Sequence, residues 1–239
     1  MATITVASAP SGIEVPRILA IDQKYFDSPR RQALTPNRES LLAIGIPGVG
    51  YEPGMTLPPL GIRHYLDCVP NNVAVGFQVF NGTKHSLIPL KSDIISGCLL
   101  DEVPCVAPGF VELFGVRKNT PFSGTRGTTT WQMGTTNNYL SVGWSVPYNR
   151  VLFDNWLMAG VNGEDPQRCF NQMYCKSQTW FQRKRFNEEL NGSLKFSVKG
   201  YKIAATMDWE YKSMASITVV PHDPDEIADR LYNFAMSDI

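Results

Sequence analysis

Four large side chains, Tyr148, Leu152, Phe153 and Trp156, fall within nine residues directly after a proline, Pro147. Their types suit capture rather than covalent chemistry. Aromatic and large apolar groups on a surface loop mark a partner, a ligand or a membrane. Tyr and Trp, apolar in body and polar at one edge, suit the boundary between membrane and water. Residues that could do covalent work lack the company they need. There is no Gly-x-Ser-x-Gly, no P-loop and no metal-binding helix motif. His64, His85 and His222 lie far apart, and no zinc spacing is visible. Glu188 and Glu189 are adjacent, and read as strand neighbours they point to opposite faces. The expectation is a protein that is not an enzyme, with no cofactor and no metal site. Asn81-Gly82-Thr83 and Asn191-Gly192-Ser193 match glycosylation sequons but read first as turn chemistry.

The aromatic loop must be held by regular elements, and the alternation in the chain points to strands. Along Tyr139–Val146, Leu140, Val142, Trp144 and Val146 alternate with Tyr139, Ser141, Gly143 and Ser145, the pattern of a half-buried strand. Pro147 has no N–H and ends the ladder. Val73, Val75, Phe77 and Val79 form a similar stripe, and Asn81-Gly82 after them predicts a hairpin returning over 84–90. Further strands are predicted over 110–116, 128–133, 193–198, 201–209 and 215–220, with Gly124-Thr125-Arg126-Gly127 as a turn and a hairpin across 134–138. Many short strands separated by turns predict an all-β sandwich. One helix interrupts them. Asp165 can cap it, Pro166 fits its first position, and Phe170, Met173 and Tyr174 then share a face.

Residues 1–70 read as a proline-rich extension, 71–221 as the sandwich, and 222–239 as a tail with a short helix capped by Asp223 or Asp225, placing Ile227, Leu231 and Phe234 on one side. Hydrophobic residues make up 43% of the chain, enough for a sizeable core, and charged residues only 18%. Lys plus Arg and Asp plus Glu number 22 each, which argues against a nucleic-acid partner. Basic clusters at Arg30-Arg31, Arg117-Lys118 and Arg183-Lys184-Arg185 read as solvated surface, the last with a second reading as a contact to anionic lipid. No apolar run nears the roughly 20 residues of a spanning helix. The N-terminus has no charged and apolar leader, so no signal peptide is expected. The five cysteines are odd in number and are expected as free thiols.

Ser145-Val146-Pro147-Tyr148 followed by Asn155-Trp156 resembles the signature of the actinoporins, pore-forming cytolysins that bind sphingomyelin. Two further stretches resemble the same family. Gln167-Arg168-Cys169-Phe170-Asn171-Gln172-Met173-Tyr174 is similar to its tyrosine-rich helix, and Val73-Ala74-Val75-Gly76-Phe77 to its first core strand. The likeness covers about residues 70–221. It implies a sandwich of the actinoporin type with one or two short flanking helices. It also implies a membrane-binding, pore-forming toxin, released in soluble form, that recognises a phosphocholine-type lipid headgroup such as that of sphingomyelin and assembles as a homo-oligomer on the target membrane. By the resemblance, Ser145, Pro147, Phe153, Phe170 and Tyr174 line the headgroup pocket, while Leu152 and Trp156 face the membrane. Cation–π attraction to aromatic faces suits a quaternary ammonium. Phe153, Phe170 and Cys175 stand where the family has tyrosines, so fewer hydroxyls remain for the phosphate. The best helical piece ahead of the sandwich, 60–69, reaches roughly 15 Å against a hydrocarbon core of about 30 Å. The rival expectation is a non-lytic lipid- or glycan-binding module like the fungal fruit-body lectins, which share a similar sandwich.

Overall fold

The computed structural model describes residues 61–163, 169–175, 179–190 and 192–231. Helix α1 (Gly61–Asp67) precedes β1 (Ala74–Asn81), β2 (Leu87–Ser96), β3 (Cys98–Leu99), β4 (Val111–Arg117), β5 (Thr125–Met133), β6 (Tyr139–Val146) and β7 (Asn155–Asn162). Helix α2 (Cys169–Cys175) follows, then β8 (Phe181–Phe186), β9 (Leu194–Val198), β10 (Tyr201–Met207) and β11 (Lys212–Pro221). The strands form two sheets, one in the order β3-β4-β1-β11-β10-β9 and the other β2-β5-β6-β7-β8. The fold is an all-β sandwich with short flanking helices, as the alternation predicts.

The core lies where the inward residues of the two sheets meet. Phe77 stacks on Phe114 with centroids 4.6 Å apart and lies 5.0 Å from Trp144, while Phe114 meets the edge of Trp131 at 5.7 Å. Both buried indoles find acceptors, Trp131 Nε1 on the Pro104 carbonyl at 3.0 Å and Trp144 Nε1 on Thr125 Oγ1 at 3.1 Å. That satisfies the polar atom that makes a buried tryptophan costly. The predicted inward set of β6, Leu140, Val142, Trp144 and Val146, is fully buried.

Three predicted features differ. Asn81-Gly82 is not a hairpin. Strand β1 is already flanked by β4, antiparallel, and by β11, parallel, so no edge is open to a returning strand. The chain crosses instead to the other sheet. Asn81 is buried at the crossing, with Nδ2 donating to the carbonyls of His85 (2.7 Å) and Val106 (2.9 Å). The predicted turn at 124–127 belongs to β5, where Gly127 pairs with Trp144. A Cβ on Gly127 would lie 2.6 Å from the Asp93 carbonyl, so glycine permits close strand approach there rather than a reversal. Strands β7 and β8 are not marked by alternation. Leu157 and Ala159 face the sandwich core while α2 covers the other side of β7 and buries Met158, and a strand buried on both faces loses its period of two. In β8 the basic run Arg183-Lys184-Arg185 masks the buried ends Phe181 and Phe186.

Helix α1 lies against β1, where a Cβ on Gly76 would come 2.9 Å from Ile62 Cγ1. Arg63 of α1 pairs with Asp208 at 3.1 Å in the β10–β11 turn, and Tyr65 donates to the Asp101 carboxylate. The tail opens with a 3-10 turn, Pro224–Glu226, capped by Asp223, whose side chain accepts from the Asp225 N–H at 2.9 Å. Ile227 and Leu231 are buried. Glu226 receives Lys84 at 2.6 Å and His85 at 3.0 Å. Phe234, Asp165 and Pro166 lie outside the described residues, as do residues 1–60.

Candidate functional site

The register of the five-stranded sheet places Arg126 of β5, Ser145 of β6, Trp156 of β7 and Arg185 of β8 in one row. Trp144 and Val146 point into the core, so Ser145 between them points outward, and Trp156 shares that outer face. Trp156 therefore sits on a strand rather than in the loop that the sequence suggests. Helix α2 packs on this outer face through Phe170 and Met173, against Met158, Trp180 and Phe181. The predicted helical face is the one that is buried.

Above that packing stands an aromatic cluster. Phe170 and Tyr174 are stacked, centroids 5.2 Å apart and planes 13° apart. Tyr174 meets Trp156 nearly edge to face at 6.0 Å, and the Arg183 guanidinium lies 5.6 Å from the Trp156 ring. Phe170 is only 3% exposed, so its ring forms the floor, while Tyr174 and Trp156 are half-buried and open at the rim. Ser145 is the cross-strand neighbour of Trp156, and Pro147 follows two residues later, half-buried. Three predicted pocket residues, Ser145, Phe170 and Tyr174, thus gather with Trp156 around α2 and β7. Phe153 does not join them. It has no ring contact with Phe170 or Tyr174 among the described residues and belongs to the loop tip.

That tip is the most exposed apolar segment of the sandwich. Val151 is 93% exposed, Leu152 70% and Phe153 62%. Asn149 shapes the loop by accepting from the N–H groups of Val151 (3.1 Å) and Leu152 (3.3 Å), an Asx-type turn. Asn155 anchors the exit. It is 1% exposed, and its Nδ2 donates to the carbonyls of Asp208 (3.1 Å) and Glu210 (3.2 Å) and to Ser213 Oγ (2.8 Å). The loop of one sheet is thereby tied to the β10–β11 turn of the other. Asn155 Oδ1 has no hydrogen-bond partner among the described residues.

Sequence reasoning missed other residues at this end. Phe122, 81% exposed, lies 5.8 Å from Tyr148. Trp209 and Tyr211, from the β10–β11 turn, flank the Arg150 guanidinium at 4.3 and 4.7 Å. Their signal in the sequence is an aromatic residue inside a turn, where no core is available to receive it. The local charge pairs are weak. Arg185 and Asp154 are 3.3 Å apart at half and quarter exposure, where ion pairs contribute about 0–1 kcal/mol. Among the described residues, no group of acidic, histidine or cysteine side chains could hold a metal ion, and no helix is long and apolar enough to cross a membrane. Cys68, Cys98, Cys105 and Cys175 are free thiols.

No family model matches the chain. It is similar to echotoxin-2 of Monoplex parthenopeus, 35% identical over 92 residues that cover 38% of this chain and 34% of the toxin. It is similar to conoporin-Cn1 of Conus consors at 28% over 160 residues, covering 62% of this chain and 64% of the relative. Tereporin-Ca1 of Terebra anilis is 24% identical over 181 residues, 70% of this chain and 92% of the relative. The matched region thus spans about a third of the first relative and just under two thirds of the second. Among solved structures, the lipid binding protein Nakanori shares the fold with a TM-score of 0.52 at 15% identity, over 66% of this chain and 75% of that one.

Proposed function

We propose that the chain, similar in sequence to echotoxin-2, conoporin-Cn1 and tereporin-Ca1 and in fold to a lipid binding protein, is an actinoporin-like, membrane-binding, pore-forming toxin that lands on a bilayer with the loop end of the sandwich. The observation that carries this reading is the Val151-Leu152-Phe153 tip, exposed at 93%, 70% and 62%, beside a half-open aromatic cluster. Moving an exposed Leu or Phe side chain out of water is worth about 1.5–3 kcal/mol, so two or three such groups bind a bilayer surface without a spanning segment. Trp156 stands higher, on the sheet face, and meets the interface at its rim.

In this reading Tyr174, Trp156 and Ser145 receive a phosphocholine-type headgroup, with Phe170 as the floor and Pro147 shaping the entrance. Aromatic faces attract the quaternary ammonium, and the Tyr174 and Ser145 hydroxyls and the neighbouring guanidinium of Arg183 serve the phosphate. No covalent step is involved. Capture is followed by homo-oligomerisation on the target membrane, reached from a released soluble form. Helix α1, seven residues long, extends about 10 Å against a hydrocarbon core of about 30 Å. A spanning helix built on α1 would therefore need further residues before Gly61.

The alternative is a non-lytic lipid- or glycan-binding module. It is favoured by Phe170, which is buried and brings no hydroxyl, and by the likeness to a protein described as lipid binding. Dye release and co-sedimentation with phosphatidylcholine vesicles, with and without sphingomyelin, separate the two. Leakage that depends on sphingomyelin supports the toxin and its headgroup. Binding without leakage selects the lipid module, and absence of both selects the glycan reading.

A further inference from the structure

At the same end of the sandwich, a groove of about 490 Å³ opens between the β6–β7 loop, the β8–β9 loop and the β10–β11 turn. Its lining carries both signs of charge. Arg150 contributes a guanidinium held in place by Trp209 and Tyr211, and no carboxylate pairs with it among the described residues. Glu188 and Glu189 contribute carboxylates. Both are exposed, they sit on the turn after β8 rather than on opposite strand faces, and neither forms an ion pair among the described residues. Asp154 is engaged by Arg185 at 3.3 Å. Asn155 also lines the groove. Its Nδ2 is committed to three acceptors, and its buried Oδ1 accepts from no donor among the described residues. A buried acceptor without a donor is a standing cost that a ligand N–H would remove.

We propose that this groove is a second headgroup site, distinct from the aromatic cluster, for a zwitterion with a primary ammonium: a phosphoethanolamine-type group. Its phosphate meets Arg150, a planar donor suited to phosphate oxygens. Its ammonium lies against Glu188 and Glu189 and, with a small shift of the groove wall, directs one N–H to the buried Asn155 Oδ1. A choline ammonium has no N–H and leaves that oxygen unsatisfied, which is the physical basis of the selectivity. The site rests on the membrane reading above. Val151 and Phe153 line the same groove, so it lies at headgroup depth once the tip enters the bilayer.

The test compares co-sedimentation with vesicles of phosphatidylcholine alone and of phosphatidylcholine mixed with phosphatidylethanolamine. The protein is expected to bind the mixed vesicles several-fold more tightly. The double variant Glu188→Gln/Glu189→Gln, altered only at exposed positions, is expected to lose that increment and to keep its binding to phosphatidylcholine. An increment missing from the unaltered protein, or surviving in the variant, overturns a lipid as the occupant. A second measurement follows the Asn155 side-chain amide by NMR while ethanolamine phosphate or phosphocholine is added. A saturable shift with ethanolamine phosphate only, abolished in the double variant, supports the site even where no vesicle is bound, and then assigns it to a free solute. Failure to bind any vesicle counts against the membrane reading alone. No increment together with no shift overturns the groove as a site.

Discussion

Two apolar regions at one end of the five-stranded sheet differ in what covers them. The cluster of Phe170, Tyr174 and Trp156 forms where α2 packs on the sheet, and Phe170 keeps only 3% of its surface in water. The tip of Val151, Leu152 and Phe153 has nothing above it and keeps most of its surface there. The first region contributes to the packing and, in the proposed reading, offers a rim for recognition. The second stays exposed, and the proposed reading assigns its burial to a membrane surface. Hydrophobicity alone does not separate the two roles; the packing partner does.

The sharpest way to break this contrast is to truncate each side. Phe170→Ala is expected to cost about 3–5 kcal/mol of stability by leaving a cavity under α2, measured by chemical denaturation. A loss within about 0.5 kcal/mol, the range of surface substitutions, would mean that the floor of the cluster is not packed. Leu152→Ala/Phe153→Ala should leave stability within about 0.5 kcal/mol while vesicle affinity falls roughly a hundredfold. Unchanged vesicle binding would move the landing face elsewhere. Tyr174→Phe keeps the stack and removes one hydroxyl, so affinity for phosphocholine vesicles should drop by about 1 kcal/mol with no change in melting. An unaltered affinity would retire Tyr174 as a phosphate donor.

The smallest effect concerns Asp208, which holds the turn beneath the tip. Burial raises its pKa above the usual aspartate value, opposed by hydrogen bonds from Met214, Ser213 and Glu210 and by Arg63. The neutral acid is thus favoured in the folded state. Its contribution is fully present below the ordinary aspartate pKa and is lost as pH rises through the raised value. Asp208→Asn should flatten that part of the stability profile. Thermal melts from strongly acid to neutral pH that decline in parallel for both proteins would show that Asp208 is not the group responsible.

Much of the fold is legible in the chain because alternation reports a sheet with one wet face. Strand β6 has the bounds that its pattern predicts, and the face of α2 carrying Phe170 and Met173 is the face that packs. Strand β7 is hidden because α2 covers its second face, and no local pattern announces a helix that arrives from later in the chain. Asn81-Gly82 misleads because a two-residue turn signal says nothing about whether the next edge is already taken. The candidate site is legible as a set of residue types and only partly as a place. Ser145, Trp156, Phe170 and Tyr174 gather around α2, whereas Phe153, eight residues after Ser145, is carried away on the tip. Phe122, Trp209 and Tyr211 come to the same end only through strand pairings between distant segments.

By itself the sequence determined the class of fold and the inward stripe of the alternating strand β6, and it supplied the expectation of capture rather than covalent chemistry. These depend on residue type and on spacing within one element. Tertiary structure alone decided which apolar side chains are buried and which are exposed, and which charges share the groove with the Asn155 oxygen that has no partner among the described residues. Exposure and hydrogen-bond satisfaction are set by neighbours distant in the chain, and no local pattern encodes them.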